Sequence, residues 1–591
     1  MNGGTSRGGP TDGNGRVGVI ERRGRFTVVE PFFEPGRRLT VDARRRRDVS
    51  IGDLVLVRFA RTGRAQLVRS LGRPDNPRTV IEALLVDRGY ERGFSDVVER
   101  EAAAAARAED QSSRRDLTSL PTFTIDPASA RDFDDAVSAE ADGDGVRLYV
   151  HIADVASFVP AGSLTDREAA VRGNSVYVPG TVEPMLPGSL SSDACSLIPG
   201  RPRRTVTVEI SVDLEGRVAK ASFYRSLIRS DVRFTYEEVD HLFSSGAEVP
   251  EPVRDPLMRA RAVAAGLKRA RLARGALAVE TSEPEFEFDD RGYVTAAHDV
   301  VQTEAHGLIE QLMICANECV AERLEAARLA TVYRVHEQPD PAAVERLVAQ
   351  LASLDVPTPP LPATLTPRSA GAFVGEISRL LNEYLAASGR RGDALVSLVL
   401  RSLKQAVYSP RNIGHAGLAS RAYCHFTSPI RRYPDLCVHR ALLAATGHEA
   451  QPPPTHELDE ISTHSTATER DAMALERDAD DICFAFLLER ELARTAWDRP
   501  FEGEVSGLIG AGAFVSFAPI DGGAPCEGFL PARRIGGDWY DLNEEQTALV
   551  GRNSGRTLRL GDPVEVVVRS VDPGRGRIDL EPAVRLAALA T

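Results

Sequence analysis

The sequence predicts a multidomain protein in which one large α+β body is flanked by all-β barrels. Three observations lead there. A chain of 591 residues exceeds what one hydrophobic core organises, so several units are expected. Both ends carry short β-rich runs separated by Gly, Pro and charged turns. Between them, strand patterns such as VRLYVHIADV and TVTVEISVDL alternate with long helical ones such as EAHGLIEQLMICANECVAERLEAARL.

In chain order, residues 1–15 are rich in Gly, Ser, Thr and Asn without apolar periodicity, and read as a disordered tail. Residues 16–75 hold five strand-like runs (VGVIE, FTVVEPFF, RLTVD, DLVLVRF, AQLVRSLG), the pattern of a small OB-like barrel. Such barrels commonly bind oligonucleotides on an open face. Residues 76–115, with the Ala-rich EREAAAAARAED, read as a helical connector. Residues 116–496 form the α+β body, and the PTPPLPATLTP stretch near 360 is an internal loop because helical pattern resumes at once. Residues 498–585 return to short strands (FEGEVSGL, GAFVSFAP, CEGFLPA, DPVEVVVRSVD, GRIDLEP), a second five-stranded barrel.

Composition is that of an ordinary globular protein, 42% hydrophobic and 27% charged. No run approaches eighteen apolar residues and the first residues lack an apolar signal core, so neither membrane span nor secretory signal is expected, and a cytoplasmic location follows. The seven cysteines are scattered without a CxxC pair, which points to buried thiols in place of disulfides or a zinc knuckle. The net charge of −13 disfavours a polyanionic partner at first sight. Clusters at Arg44 to Arg47, at Arg201, Arg203 and Arg204, and at Arg431 with Arg432 allow a basic channel within an acidic exterior, against the plainer reading of solvated surface arginines.

The segment TFTIDPASARDFDDAVS packs Asp126, Asp132, Asp134 and Asp135 into ten residues after a short apolar β-type run. Carboxylates so close repel one another unless cations neutralise them, and a hard divalent ion such as Mg²⁺ suits oxygen ligands. An EF-hand counted from Asp132 needs Gly and Glu where Val137 and Gly143 stand, so calcium is not expected. An acidic surface loop is the bland alternative, but Phe133, Ala136 and Val137 interleave the carboxylates and imply burial. The second dense segment, YCHFTSPIRRYPDLCVHRAL, carries Arg431 and Arg432 before a helical run. A guanidinium presents a planar fork to phosphate oxygens and keeps its charge, as a developing pentavalent phosphate requires; an ion pair bracing a loop is the alternative.

Together the two segments resemble the RNase II / RNase R family of 3′→5′ exoribonucleases, whose signatures are a DPxxAxDxDDA loop and an HFTSPIRRYxD segment. The resemblance extends to HIADVASFV, RGNSVYVPG, MLPGSLSSDACSL, AHGLIEQLMICAN, YRVHEQPDP and ALERDADD, and to the order of cold-shock-like, RNB catalytic and S1-type domains. It implies that Asp126, Asp132 and Asp135 bind magnesium with Asp134, that Asp134 is most critical for the chemical step, and that Arg431 stabilises the scissile phosphate. It also implies base stacking on Tyr177, Tyr236 and Phe286, with Phe288 competing for the last place, and RNA contacts from Glu310, Asn317, Glu476 and Arg432. His306, one helical turn before Glu310, is given a structural role.

The implied reaction is processive hydrolysis of single-stranded RNA to nucleoside 5′-monophosphates with two Mg²⁺ ions, Mn²⁺ being a substitute, by a monomeric enzyme of RNA turnover that binds no membrane. The sequence leaves open whether it has protein partners of the degradosome kind. A catalytically inactive RNA-binding protein on the same fold is the rival, and a DNA-directed nuclease a third reading. Two departures from the family bear on substrate range: one N-terminal barrel where two are common, and no lysine-rich C-terminal tail. Both lead to the expectation that stable duplexes stall the enzyme.

Overall fold

At the centre of the molecule lies a seven-stranded mixed sheet, ordered Val232–Thr235, Phe123–Asp126, Asp135–Asp142, Gly145–Ala153, Pro202–Val212, Val218–Arg229 and Arg115–Asp116. The inner strands pair antiparallel and the two edge strands join parallel. The computed structural model describes residues 15–24, 26–41, 49–59, 65–90, 92–246, 248–278, 283–388 and 391–583, so Arg44 to Arg47 and all but the last residue of the expected tail lie outside the described residues.

Alternation along the strands gives the sheet two different faces. Leu148, Val150, Ile152, Val206, Val208 and Ile210 form an apolar face covered by the helices Arg254–Ala273, Glu304–Ala326 and Tyr433–Ala445. Burial of each such side chain contributes roughly 1.5–3 kcal/mol, which makes the sheet a firm platform. The intervening positions hold an enclosed polar file. Ser138 Oγ lies 3.1 Å from His151 Nε2, whose Nδ1 lies 2.8 Å from Thr207 Oγ1, which meets Ser226 Oγ at 2.6 Å. Burial pushes the His151 pKa down to about 3, so the ring is neutral and gives one donor and one acceptor to this file.

The first barrel is ordered Leu39–Thr40, Phe26–Pro31, Arg16–Arg23, Leu54–Phe59 and Ala65–Gly72, and a parallel bridge from Val41 to Ala65 brings its ends together. Helices Pro77–Asp87 and Asp96–Arg107 follow it. The last barrel is closed by Pro500–Ile509, Gly512–Phe517, Cys526–Pro531, Arg577–Pro582 and Pro563–Asp572. A three-stranded sheet of Tyr540–Leu542, Ala548–Gly551 and Thr557–Arg559 stands beside it, unforeseen because runs of three or four residues are too short to display a period of two.

The helix Leu458–Arg494 spans 37 residues and ties these parts together. Leu475, Ala479, Ile482 and Cys483 on it share one apolar cluster with Val17 and Leu54 of the first barrel and Val505 and Phe517 of the last. The barrels also touch directly. A Cβ on Gly574 would come within 2.4 Å of the Phe32 ring and would displace it, and Arg575 Nε donates to Phe32 O at 2.5 Å. All seven cysteines are buried and free. No helix among the described residues is long and apolar enough to cross a membrane.

Candidate active site

The aspartate loop hangs from two strands that part company. Phe123–Asp126 and Asp135–Asp142 register only at Phe123 and Val137, leaving residues 127–134 free to cross the opening between them. The loop is braced from beneath. Ser196 Oγ accepts from Phe133 N at 3.0 Å and donates to Arg131 O at 2.9 Å, and Leu197 N donates to Phe133 O at 3.0 Å. Arg233 Nη2 donates to the carbonyls of Pro127 and Ala128 at 2.7 and 3.1 Å, with its guanidinium 5.0 Å from the centre of the Phe133 ring. Such bonds hold a turn that no strand ladder supports.

Sequence neighbours therefore become a cluster of acids, Asp126 and Asp134 buried and Asp132 and Asp135 half-buried. Burial raises Asp126 to about 6, and the charge of Asp132 pushes the same way against the Thr124 hydroxyl and Arg233. Burial raises Asp135 to about 7, with Asp126 adding to it and Arg431 opposing. Asp134 is held well above the carboxylate range by burial, although Arg431 and the Ile430 N–H favour its charged form. The Oδ2 of Asp126 is buried without a hydrogen-bond partner. Among the described residues, no three His, Cys, Asp or Glu side chains converge into a ready-made metal cage. Some oxygens are otherwise engaged: Asp134 Oδ1 accepts from Ile430 N at 2.9 Å, and Asp132 Oδ2 from the Tyr177 hydroxyl at 2.7 Å.

The arginine segment meets this cluster through Ile430 and Arg431. Arg431 Nε lies 4.0 Å from Asp134 Oδ2, and its side chain is 47% exposed, within reach of a ligand from solvent. Arg432 faces the other way. Its Nη2 donates at 2.9 Å to Asp435, and this acid raises its pKa against the opposing effect of burial. Arg432, expected to contact RNA, thus has its guanidinium on Asp435, with its side chain 21% exposed.

Tyr177 lies on the short strand Val176–Val178, its N–H donating to Glu476 Oε1 at 2.9 Å, so Glu476 holds the hairpin that presents the ring. Tyr236 follows Thr235, the register partner of Asp126, and stacks on His306 with ring centres 3.8 Å apart. Phe286 packs edge-on against Phe484 at 4.9 Å, whereas Phe288 is the ring that a Cβ on Gly180 would touch at 3.5 Å, beside the Tyr177 hairpin. Glu310 is exposed and pairs with Arg271 at 3.6 Å. Asn317, also expected to contact RNA, is enclosed by the protein. At 2% exposed, it donates to the Tyr423 hydroxyl and accepts from Phe426 N at 2.9 Å, which consumes its amide inside the protein. Of the second arginine cluster, Arg201 is exposed while Arg203 and Arg204 are largely buried near Asp193 and Asp110.

Comparison with known proteins bears on this arrangement. The RNB domain model matches residues 114–448, more than half of the chain and the whole span from aspartates to arginine segment, and the S1 RNA binding domain model matches residues 498–581. The chain belongs to the RNB family of exoribonucleases. This makes it a hydrolase of the ribonuclease kind. Ribonuclease R of Thermotoga maritima is 34% identical over 95% of this chain and 80% of that protein. Ribonuclease R of Escherichia coli K12 is 36% identical over 80% of this chain, but the match spans only 57% of the E. coli protein. Among solved structures, Mycoplasma genitalium RNase R with ribose-methylated single-stranded RNA superposes with a TM-score of 0.83 at 26% identity, covering 96% of this chain and 89% of that one. The same enzyme with double-stranded RNA gives 0.79 at 27% identity, covering 96% and 95%.

Asp435, Ser196 and Arg233 are the residues of this site that sequence reasoning passed over. Asp435 stands inside the arginine segment and Arg233 three positions before Tyr236, so both could have been found by asking which groups must hold an irregular loop.

Proposed function

We propose that this chain hydrolyses single-stranded RNA processively from the 3′ end to nucleoside 5′-monophosphates, using Mg²⁺ held by Asp126, Asp132, Asp134 and Asp135. One observation carries the reading: the buried carboxylates of Asp126 and Asp134, the half-buried ones of Asp132 and Asp135 and the reachable guanidinium of Arg431 are joined where the two segments meet. The residues fit a hard cation. Asp126 has a buried oxygen with no partner, and charge on Asp126 disfavours charge on Asp135 until a cation offsets both. Two such ions, when bound, supply charge stabilisation at the attacking and leaving oxygens of an in-line displacement.

The protein's own groups do the rest. Arg431 stabilises negative charge developing on the scissile phosphate, a duty its permanent charge and planar fork suit. Tyr177 and Tyr236 offer stacking surfaces that hold any base without reading sequence. Glu476 and Asp132 fix the Tyr177 ring from its backbone and its hydroxyl. Glu310 is exposed, and the family resemblance gives it a contact with RNA. The same reading makes the protein a monomeric, cytoplasmic agent of RNA turnover. An inactive RNA binder on this fold is disfavoured because all four aspartates and Arg431 are present and assembled.

Substrate range turns on a different observation. This chain covers 95% of the Mycoplasma genitalium ribonuclease R chain solved with double-stranded RNA, and that relative's contact with a duplex supports a wider substrate range. We therefore propose that the enzyme digests into stems from a 3′ overhang, with the stall expected from the single first barrel as the competing outcome.

A 5′-labelled RNA of about 30 nucleotides, well beyond the span of one OB fold, tests the reading when incubated with Mg²⁺ or EDTA beside its DNA counterpart. The expected result is a Mg²⁺-dependent ladder shortening from the 3′ end of the RNA alone. Immediate release of the label, or equal cutting of DNA, overturns it.

A further inference from the structure

We propose that Asp435 is a positioning residue for Arg431, acting through Ser428 to set the pose of the guanidinium; the proposal rests on the reading of Arg431 given above. Residues 425–431 form neither helix nor strand. Without a ladder, the pose of the loop depends on where its individual backbone groups find partners. Five anchors from outside the loop are seen among the described residues: Phe426 N to Asn317, Phe426 O to the His439 ring, Ser428 N to Asp435, Ile430 N to Asp134, and Arg431 O from Ser175 N.

Asp134 meets the Arg431 side chain directly, at 4.0 Å, whereas Asp435 holds the residue whose hydroxyl meets it. Its Oδ1 accepts from Ser428 N at 2.8 Å, and the hydroxyl of that same serine accepts from Arg431 Nη2 at 3.3 Å. One carboxylate thus fixes the residue that holds the guanidinium. The same Oδ1 also takes Arg432 Nη2 at 2.9 Å, drawing Arg432 inward and leaving Arg431 as the guanidinium of the pair that faces the carboxylate cluster. Asp435 itself is 0% exposed in the first turn of Tyr433–Ala445. A carboxylate in that turn also favours the helix dipole. A purely helix-stabilising role, however, predicts no special link to Arg431, and that difference can be measured.

The experiment is a double-mutant cycle on the full chain, with Mg²⁺ and single-stranded RNA. Asp435→Asn keeps an oxygen for Ser428 N but removes the charge that holds Arg432. It is expected to lower kcat about tenfold and Asp435→Ala about a hundredfold, the size of effect a misplacement near 1 Å produces, with KM unchanged. Placed on Arg431→Ala, neither change should reduce kcat further, because residues acting through one group are not additive. Ser428→Ala should reproduce the kcat loss and be likewise non-additive with Asp435→Asn, which keeps the test open if Asp435→Ala does not fold. Equal losses in the parent and Arg431→Ala backgrounds, or a rise in KM alone, overturn the proposal. Parent-level activity of Arg431→Ala overturns the reading of the site itself, and the proposal with it.

Discussion

Arg431 and Arg432 are adjacent in sequence, and the structure turns one toward the acids and the other into the protein. The difference comes from Asp435, whose side chain is within hydrogen-bond reach of Arg432 and not of Arg431. Because the proposed work of Arg431 needs a fork that meets two phosphate oxygens, Arg431→Lys is expected to lower kcat about a hundredfold while RNA affinity changes little. The check is single-turnover cleavage beside equilibrium binding; cleavage at the parent rate assigns Arg431 to bracing the loop. At this scale the aspartates were legible because four carboxylates within ten residues, interleaved with apolar side chains, repel one another unless a cation sits among them. Asn317 was not legible in the same way. A motif marks a residue as special, but only packing shows that its amide is spent on Tyr423 and Phe426.

At the scale of elements, the parting strands Phe123–Asp126 and Asp135–Asp142 bring acids together at a standing electrostatic cost. A carboxyl whose pKa is raised by folding binds its proton more tightly in the folded chain. Its contribution is therefore full below the unfolded value and is lost as pH rises through the folded one. For Asp126 near 6 and Asp135 near 7, the loss falls between about pH 4 and pH 7. Asp480 and Asp481, each raised to about 7 by burial, act in the same direction. In EDTA the Tm is expected to fall from about pH 5 to about pH 8. Mg²⁺ should restore it near pH 8 and do little near pH 5, where protons compete for the same oxygens. Calorimetry with and without Mg²⁺ separates the site from Asp480 and Asp481, and an equal Mg²⁺ effect at both pH values contradicts the assignment of ligands. Five strands at each end were readable from their turns and alternation, and the short strands near Tyr540 were not, because strand length limits the signal.

The whole molecule carries a net charge of −13 and is proposed to bind a polyanion. Bound phosphates should lie where arginines outnumber acids locally, so affinity for a homopolymer is expected to fall steeply with salt; a log–log slope near zero rules such a channel out. Substrate range is also a property of the whole chain. On a hairpin of about fifteen base pairs, close to the span a double-stranded RNA module covers, with a 3′ overhang and no helicase, digestion is expected to run through the stem. A ladder ending several nucleotides before the stem would restore the stall inferred from the single first barrel. The order of barrel, α+β body and barrel was legible from the patterning of the chain alone, whereas the direct contact of Phe32 with Gly574 and Arg575 joins residues more than five hundred positions apart and has no local signature. The most direct test of the central claim pairs Asp134→Asn with the parent on one labelled single-stranded RNA, measuring binding and cleavage together. Binding kept within a few-fold and cleavage reduced more than about a hundredfold is the expected result, as for loss of a principal electrostatic stabiliser. Cleavage within about tenfold of the parent would contradict the claim that this carboxylate cluster is the active site.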